Sequence, residues 1–464
     1  MIRTIYTAAF IVAGLLLTSN VIAVDAAASG TAAKPNVIVI LSDDVGWAEF
    51  GFQGGKDIPT PNIDSIAKNG VKFTNGYVAA AICSVSRAGL MLGRYPTRIG
   101  YEFNGGDDQG RPTPRRFGMP VEETLFPQRM KALGYATCAI GKWHLGDKPE
   151  YLPMVRGFDE FYGTKANSPY FKPEFFIDSR KSLESSPVTD EAFYTTDAYG
   201  ARAVDWIGKQ TGKPYFLYLA FNANHWPMEA TPKYLGRFPN LTGKRKTFAA
   251  MMSAMDDAVG AVLTKVRESG QEENTLIVFL SDNGGPTAST TSNNLPLRGF
   301  KAQISEGGTR IPFSMQWKGK IPPGRTYDFP VLNLDLLPTA VKAAGSTVDP
   351  AWKLDGVDLL PFVTGANTAR PHEALFWRYG PQWAVRQGDW KLVVSKFDAL
   401  KPRLINLADD ISESNDLSEK FPEKVAQLTG LYNVWNSEQH APLWGPLTTG
   451  LNNNKNKKQD VENQ

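Results

Sequence analysis

Charge of either sign is barely in excess: 50 Lys and Arg against 47 Asp and Glu leave a formal net charge of +3. That is too little to argue for nucleic acid or an anionic membrane as partner, so any selectivity for anions has to be built locally. Cysteine is almost missing, with Cys83 and Cys138 the only two in 464 residues. They allow one disulfide, or two free thiols; the apolar setting Tyr135-Ala136-Thr137-Cys138-Ala139-Ile140 suits a buried thiol at Cys138. No apolar run is long enough for a membrane span. The one from about Ile5 to Leu17 falls short, and no cysteine near it could carry a lipid. Internal repeats are absent too.

What is present is an ordinary globular composition, 42% hydrophobic and 21% charged, with length for two or three domains and a large core. Residues 1–26 read as a secretory signal: Arg3, the apolar run, then Val21-Ile22-Ala23 as a small-residue cleavage site. A periplasmic or secreted protein follows from that pattern. The polar, Lys-rich stretch 452–464 reads as a disordered tail.

The β-branched run Val37-Ile38-Val39-Ile40-Leu41 predicts a strand buried on both faces, central in a sheet. It stops at Ser42-Asp43-Asp44. Ligands gather at the carboxyl ends of strands in open α/β sheets, and two adjacent acids there either suit a cation or cap a helix. Leu276–Leu280 predicts a similar strand, ending in Ser281-Asp282-Asn283-Gly284-Gly285, which adds an acid and an amide or simply a type I turn. A strand Tyr215–Phe221 leads to His225-Trp226-Pro227, where Trp226 is a sugar platform or a core side chain. A helix over Glu122–Leu133 feeds a strand Tyr135–Ile140 and then Gly141-Lys142-Trp143-His144; if the chain stays extended, Lys142 and His144 share a face.

The most loaded stretch is Cys83-Ser84-Val85-Ser86-Arg87-Ala88-Gly89-Leu90-Met91-Leu92-Gly93-Arg94, read as a loop running into a helix at Cys83. Sulfur then lies near the unsatisfied N–H groups and positive dipole end of the helix, where an anion is favoured, with Arg87 four residues on over the same face. Further helices are predicted over Asn62–Asn69, Thr195–Lys209, Thr247–Glu268 and Asn333–Ala344, and a strand over Val71–Tyr77. The stretch Tyr101–Gly118 reads as a long loop, solvated or offering Tyr101, Glu102 and Asn104 to a ligand. Arg156–Gly163 reads as a turn with aromatic packing. Beyond a boundary near residue 365, short strands Ala374–Arg378, Trp383–Gln387, Lys391–Val394 and Leu404–Leu407 and a helix Pro422–Trp435 make a small unit to about residue 451; there Arg378, Gln382 and Trp383 have structural roles or reach the cleft.

The Cys83 segment resembles the sulfatase signature, in which a Cys or Ser followed two residues later by Pro or Ala, then by Ser-Arg, is oxidised to formylglycine. Val85 at the Pro or Ala position and Leu92 before Gly-Arg, where Thr or Ser is usual, depart from it. Further blocks also resemble the family: Asp43-Asp44, Lys142-Trp143-His144, His225-Trp226-Pro227, Asp282-Asn283, and Leu297-Arg298-Gly299-Phe300-Lys301, with Phe300 where Gly is common. The resemblance implies a large mixed α/β sheet sandwiched by helices, of the alkaline phosphatase-like kind, over residues 27–365. A smaller antiparallel sheet with one helix would occupy 366–451.

The same resemblance implies a catalytic set of Cys83, Arg87, Lys142, His144, His225 and Lys301. It implies a divalent cation on Asp43, Asp44, residue 83, Asp282 and Asn283. Oxygen donors and the neutral Asn283 favour Ca²⁺ over zinc, with Mg²⁺ also admissible. Lys142, His225, Lys301, Trp226 and Arg298 would bind substrate. The partners implied are a formylglycine-generating enzyme during maturation and a sulfated carbohydrate, resembling the galactan substrates of bacterial polysaccharide sulfatases such as those acting on carrageenan. Two other readings stand beside it: a phosphate or phosphonate ester hydrolase of the same superfamily, and a carbohydrate-binding homologue whose Cys83 stays a thiol.

Overall fold

The computed structural model describes Met1 and residues 33–105 and 117–445. The expected signal segment, the tail and residues 106–116 of the long loop lie outside the described residues.

A nine-stranded sheet organises the fold. Its strands are β1 (Asn36–Ser42), β2 (Val71–Phe73), β4 (Ala136–Lys142), β5 (Glu160–Thr164), β6 (Phe176–Asp178), β7 (Tyr215–Ala220), β8 (Thr275–Ser281), β9 (Phe313–Gln316) and β10 (Arg325–Tyr327); β3 (Gly76–Tyr77) pairs instead with β11 (Val331–Leu332). The order across the sheet is β10-β2-β9-β8-β1-β7-β4-β5-β6. Five central strands, β8-β1-β7-β4-β5, run parallel, so their carboxyl ends share one edge. β9 and β6 pair antiparallel to their neighbours and make the sheet mixed.

The two-residue period of β1 is visible in where its side chains go. Val37, Val39 and Leu41 join the apolar cluster on one face, with the helices Cys83–Leu92 and Leu336–Ala343; Ile38 and Ile40 join the other, with Thr195–Gly208 and Gly243–Glu268. Covered on both faces, the sheet can leave only its edge for a site. Four strands, β12 (Leu375–Tyr379), β13 (Gln382–Gln387), β14 (Trp390–Val394) and β15 (Pro402–Asn406), form a separate antiparallel sheet under the helix Pro422–Ser437. Its core also takes in Tyr77, Ala79 and Leu332.

Several local expectations change. The segment Val71–Tyr77 is two strands, broken at Thr74-Asn75. Glu160–Thr164, read as part of a turn, is a sheet strand set parallel to β4 after the left-handed Gly157. The helix expected from Glu122 starts at Phe126, where Pro127 in its first turn fixes the entry and Gln128 caps the Leu125 N–H at 2.8 Å. The helix expected from Asn333 opens as a 3₁₀ turn, Asn333–Asp335.

Candidate active site

The expected acids leave adjacent strands side by side. Asp43 and Asp44 follow β1, and Asp282 and Asn283 follow β8, all four buried. Asp44 takes the left-handed conformation (φ 62°), which Asp tolerates better than most residues, and its N–H points to Asp282 Oδ1 at 3.3 Å. Asn283 Nδ2 donates to Asp44 Oδ1 at 2.7 Å. Its Oδ1 is buried and has no hydrogen-bond partner among the described residues. The neighbouring Gly284 lies so close to the next loop that a Cβ would meet Gly307 O at 1.8 Å.

Cys83 opens its helix as expected, after an extended Ile82. Its Sγ is 3.4 Å from Asp43 Oδ1 and 3.8 Å from Asp44 Oδ1. Cys138 is a separate buried free thiol, so the disulfide alternative is overturned. Arg87 reaches Asp282 Oδ2 through Nε (2.9 Å) and Nη2 (2.8 Å), lies 3.6 Å from Asp43 Oδ2, and donates from Nη1 to the Lys142 carbonyl at 2.7 Å. Lys142, the last residue of β4, donates to Asp43 Oδ2 at 2.5 Å. Gly141 before it has φ 107° and lies against Ala220 O, so no side chain fits there. Lys301 donates to Asp44 Oδ2 at 2.9 Å from a loop that Ala302 pins to the Ala81 carbonyl, two residues before Cys83.

His225 Nε2 lies 3.5 Å from Asp44 Oδ2 and 3.2 Å from Lys301 Nζ, while Nδ1 is hydrogen-bonded to the Trp226 carbonyl. A carbonyl only accepts, so Nδ1 carries the hydrogen. His144 arrives differently from the expectation. The strand ends at Lys142 and His144 is left-handed (φ 64°), so a shared strand face does not bring the two together. The His144 carbonyl accepts from Ser84 Oγ at 2.6 Å, which ties its loop to the Cys83 helix, and its buried Nδ1 has no hydrogen-bond partner among the described residues.

Burial and charge set the ionisation. Burial, with Asp282 and Asp43 alongside, pushes the Cys83 thiol well above its usual range. A thiolate nucleophile needs the opposite shift, so these surroundings favour the protonated thiol at Cys83 despite its helix terminus. Burial works against the Asp43 carboxylate, but Lys142, His225, Arg87 and Lys301 outweigh it and hold the group well below the usual range. Asp282 rises to about 6 through burial and the nearby Asp43. Burial lowers both His144 and His225, His144 strongly, with Lys142 and Arg87 adding to it.

One ligand-type atom each from Asp43, Asp44, Cys83 and His225 lies within 4.8 Å of all the others. A buried acid pair, an amide oxygen left over and a buried sulfur among three cations is a place for a tetrahedral anion and a hard cation. Residues 35–346 match the family model described as Sulfatase. This chain belongs to the sulfatase family. It is a sulfuric ester hydrolase, with the alkaline phosphatase-like fold expected of one. The sulfatase is 33% identical to N-acetylgalactosamine-6-sulfatase of Canis lupus familiaris over 387 residues, 78% of this chain and 72% of the relative. It is 33% identical to arylsulfatase A of Bos taurus over 399 residues, 79% and 76% of the two chains. Among solved structures it resembles Ps i-CgsB in complex with k-i-k-neocarrahexaose, with a TM-score of 0.81 and 35% identity over 90% of this chain and 96% of that one. It also resembles PsFucS1 sulfatase from Pseudoalteromonas sp., with a TM-score of 0.76 and 26% identity over 87% and 90%.

The remaining expected residues divide. Trp226 is 62% exposed, which removes its core alternative. Arg298 is held by Asp398 at 2.8 and 2.9 Å and lines a neighbouring cleft. Tyr101 is buried on Ser84 Oγ at 2.6 Å, Asn104 Oδ1 takes the Ser84 N–H at 3.2 Å, and Glu102 pairs with Arg378, so the first two brace the start of the Cys83 helix. Gln382 donates to the Ala302 carbonyl and Trp383 stacks on Tyr432. Sequence reasoning missed Asn167, whose Nδ2 is 3.2 Å from His225 Nε2. It follows β5, and reading that strand correctly is the signal that would have placed Asn167 at the same edge.

Proposed function

We propose that this sulfatase is exported and removes sulfate esters from a sulfated polysaccharide or oligosaccharide of the carrageenan type. The observation that carries the chemistry is Cys83 Sγ at 3.4 Å from Asp43, at a helix start ringed by Arg87, Lys142 and Lys301. The substrate class is supported by the 35% identity to Ps i-CgsB, crystallised with k-i-k-neocarrahexaose, and by the exposed Trp226 next to His225. Export is supported by the signal-like pattern in residues 1–26.

Asp43, Asp44, Asp282 and Asn283 would hold the divalent cation together with residue 83; the oxygen donors and the unpartnered Asn283 Oδ1 fit Ca²⁺, or Mg²⁺. When present, the cation supplies positive charge to the sulfate oxygens, and formylglycine, made from Cys83 by a generating enzyme, supplies an aldehyde-hydrate hydroxyl as nucleophile. Lys142 and Lys301 place fixed positive charge around the sulfate in a site dry enough for it to act strongly. Arg87, clamped to Asp282 and the Lys142 carbonyl, orients residue 83. At His225 the Nδ1–H bond to the Trp226 carbonyl turns Nε2 to the site; the ring hands a proton to the departing sugar oxygen once it is protonated at Nε2 as well, where Asp44 Oδ2 at 3.5 Å favours the charge. His144, kept neutral by burial, is the base for the second hydroxyl of residue 83.

The test is sulfate release across a panel of sulfated oligosaccharides, with aryl sulfate and aryl phosphonate side by side and Cys83→Ala as control. Release from carrageenan oligosaccharides, abolished in the control, is the expected result. Faster hydrolysis of the phosphonate, or release that survives in Cys83→Ala, overturns it.

A further inference from the structure

Two phenylalanines from distant segments stand partly exposed side by side, Phe300 (37%) and Phe397 (49%). Phe300 immediately precedes Lys301, the residue whose ammonium contacts both Asp44 and His225, and it stands where the family resemblance favours Gly. Phe397 comes from the hairpin between β14 and β15, nearly a hundred residues later in the chain. The two rings meet edge to face, with centroids 5.7 Å apart and planes at 84°.

An edge-to-face pair covers at most one face of one ring, and a Phe held half in water forfeits the free energy its burial would give. The pair is also fixed in place. Arg298 is clamped by both oxygens of Asp398, and its guanidinium lies 5.5 Å over the Phe397 ring, so the loop before Lys301 and the hairpin of the small sheet are locked together at this point. Arg298, Phe300 and Asp398 line a cleft of about 1680 Å³ that also takes in Trp47, three residues beyond Asp44, and Leu295. Ligand pockets for one small molecule run from roughly 300 to 1000 Å³. The cleft exceeds that range, and of the two rings it is Phe300 that lines it, with Phe397 packed beside it.

We infer that Phe300 and Phe397 form an aromatic wall that stacks a sugar unit of the saccharide chain beyond the one whose ester is cleaved, so that this sulfatase reads an oligosaccharide and not a lone sulfated sugar. The inference rests on the saccharide substrate proposed above. The apolar C–H face of a galactose ring, with its partly positive hydrogens, matches the electron-rich face of a benzene ring, and the tie to Lys301 fixes how far that unit sits from the reacting sulfate. Because one ring comes from the main chain of active-site loops and the other from the small sheet, chain-length preference is a property of their junction.

The experiment compares kcat/KM for a carrageenan hexasaccharide with that for the disaccharide carrying the same scissile sulfate, in wild type and in Phe397→Leu, Phe397→Tyr and Phe300→Ala. Wild type is expected to favour the hexasaccharide. Phe397→Leu keeps an apolar contact with Phe300 but removes the ring face; it and Phe300→Ala should cut the preference roughly tenfold, through KM, while Phe397→Tyr keeps it. A role in packing alone predicts instead that Leu and Tyr behave alike, with the ratio as in wild type, and that result overturns the inference. If wild type desulfates the saccharides but shows no preference for length, the wall fails and the substrate reading stands. If wild type cleaves aryl sulfate and no saccharide of either length, the substrate reading falls, and the wall with it.

Discussion

Lys142 and Asp43 meet across 2.5 Å, and solvent reaches neither side chain. Asp43 also faces Arg87 at 3.6 Å and the Cys83 sulfur at 3.4 Å, so one carboxylate joins residue 83 to two of the cations around it. Lys142→Ala should therefore do two things at once. The sulfate loses a fixed charge, lowering kcat by roughly 10²–10³-fold, as loss of a preorganised electrostatic group does elsewhere. Asp43 loses its nearest cation, and the melting temperature falls. Steady-state kinetics on an aryl sulfate and a thermal melt of the same preparation check both.

Asn283 Oδ1 is a buried oxygen at the site with no hydrogen-bond partner among the described residues. Chelation should lower sulfate release and the melting temperature together, because Asp43 and Asp44 then face each other without a divalent charge, and added Ca²⁺ should restore both. In Asn283→Ala the Ca²⁺ concentration needed for half-restoration should rise by roughly tenfold or more. Calcium titration followed by thermal shift reads this without relying on turnover.

Behind the site, Lys391 is fully buried between Glu306 (2.8 Å) and Glu413 (3.0 Å). Burial works against its charge, yet the two carboxylates raise its pKa. Lys391→Met removes the shared cation and leaves Glu413 buried without one, while Glu306 keeps Arg310 at 3.2 Å; removing one partner costs about 3–5 kcal/mol in comparable buried pairs. Adding Glu413→Gln, which removes the unpaired charge, should recover part of the loss. Urea unfolding of the single and double variants measures it.

His372 Nε2 contacts both oxygens of Asp335, at 2.9 and 3.0 Å. Burial opposes its charge, but Asp335 prevails and lifts the imidazole pKa above 6.5. A folded pKa above the unfolded one stabilises fully below the unfolded value, and that stability drains away as pH rises through the folded value. The unfolding free energy should thus fall from about pH 6.5 upward. His372→Asn should flatten this part of the profile and lose about 2 kcal/mol at pH 6.

Much of this was legible because strand ends carry the site. The apolar runs Val37–Leu41, Tyr215–Phe221 and Leu276–Leu280 are strands in the structure, and the acids and histidine that follow them reach one edge. Chemistry that depends on contacts between distant segments was not legible. β5 lies hidden in the Gly- and aromatic-rich stretch Phe158–Gly163, which carries no period-two alternation, and with it went Asn167. The left-handed turn at His144 cannot be read from Trp143-His144-Leu145. Nor can the clamp of Arg298 on Asp398, exactly the kind of pairing that only the packed small sheet creates. The upward shift of the Cys83 thiol likewise comes from its buried surroundings, since the helix terminus taken alone argues for a lowered one.

The most direct measurement is the mass of the peptide containing Cys83, from protein purified in its native host and shown to release sulfate. The account predicts an aldehyde or its hydrate in place of the thiol, in a fraction that rises in step with specific activity across preparations. An intact thiol throughout a fully active preparation would contradict it.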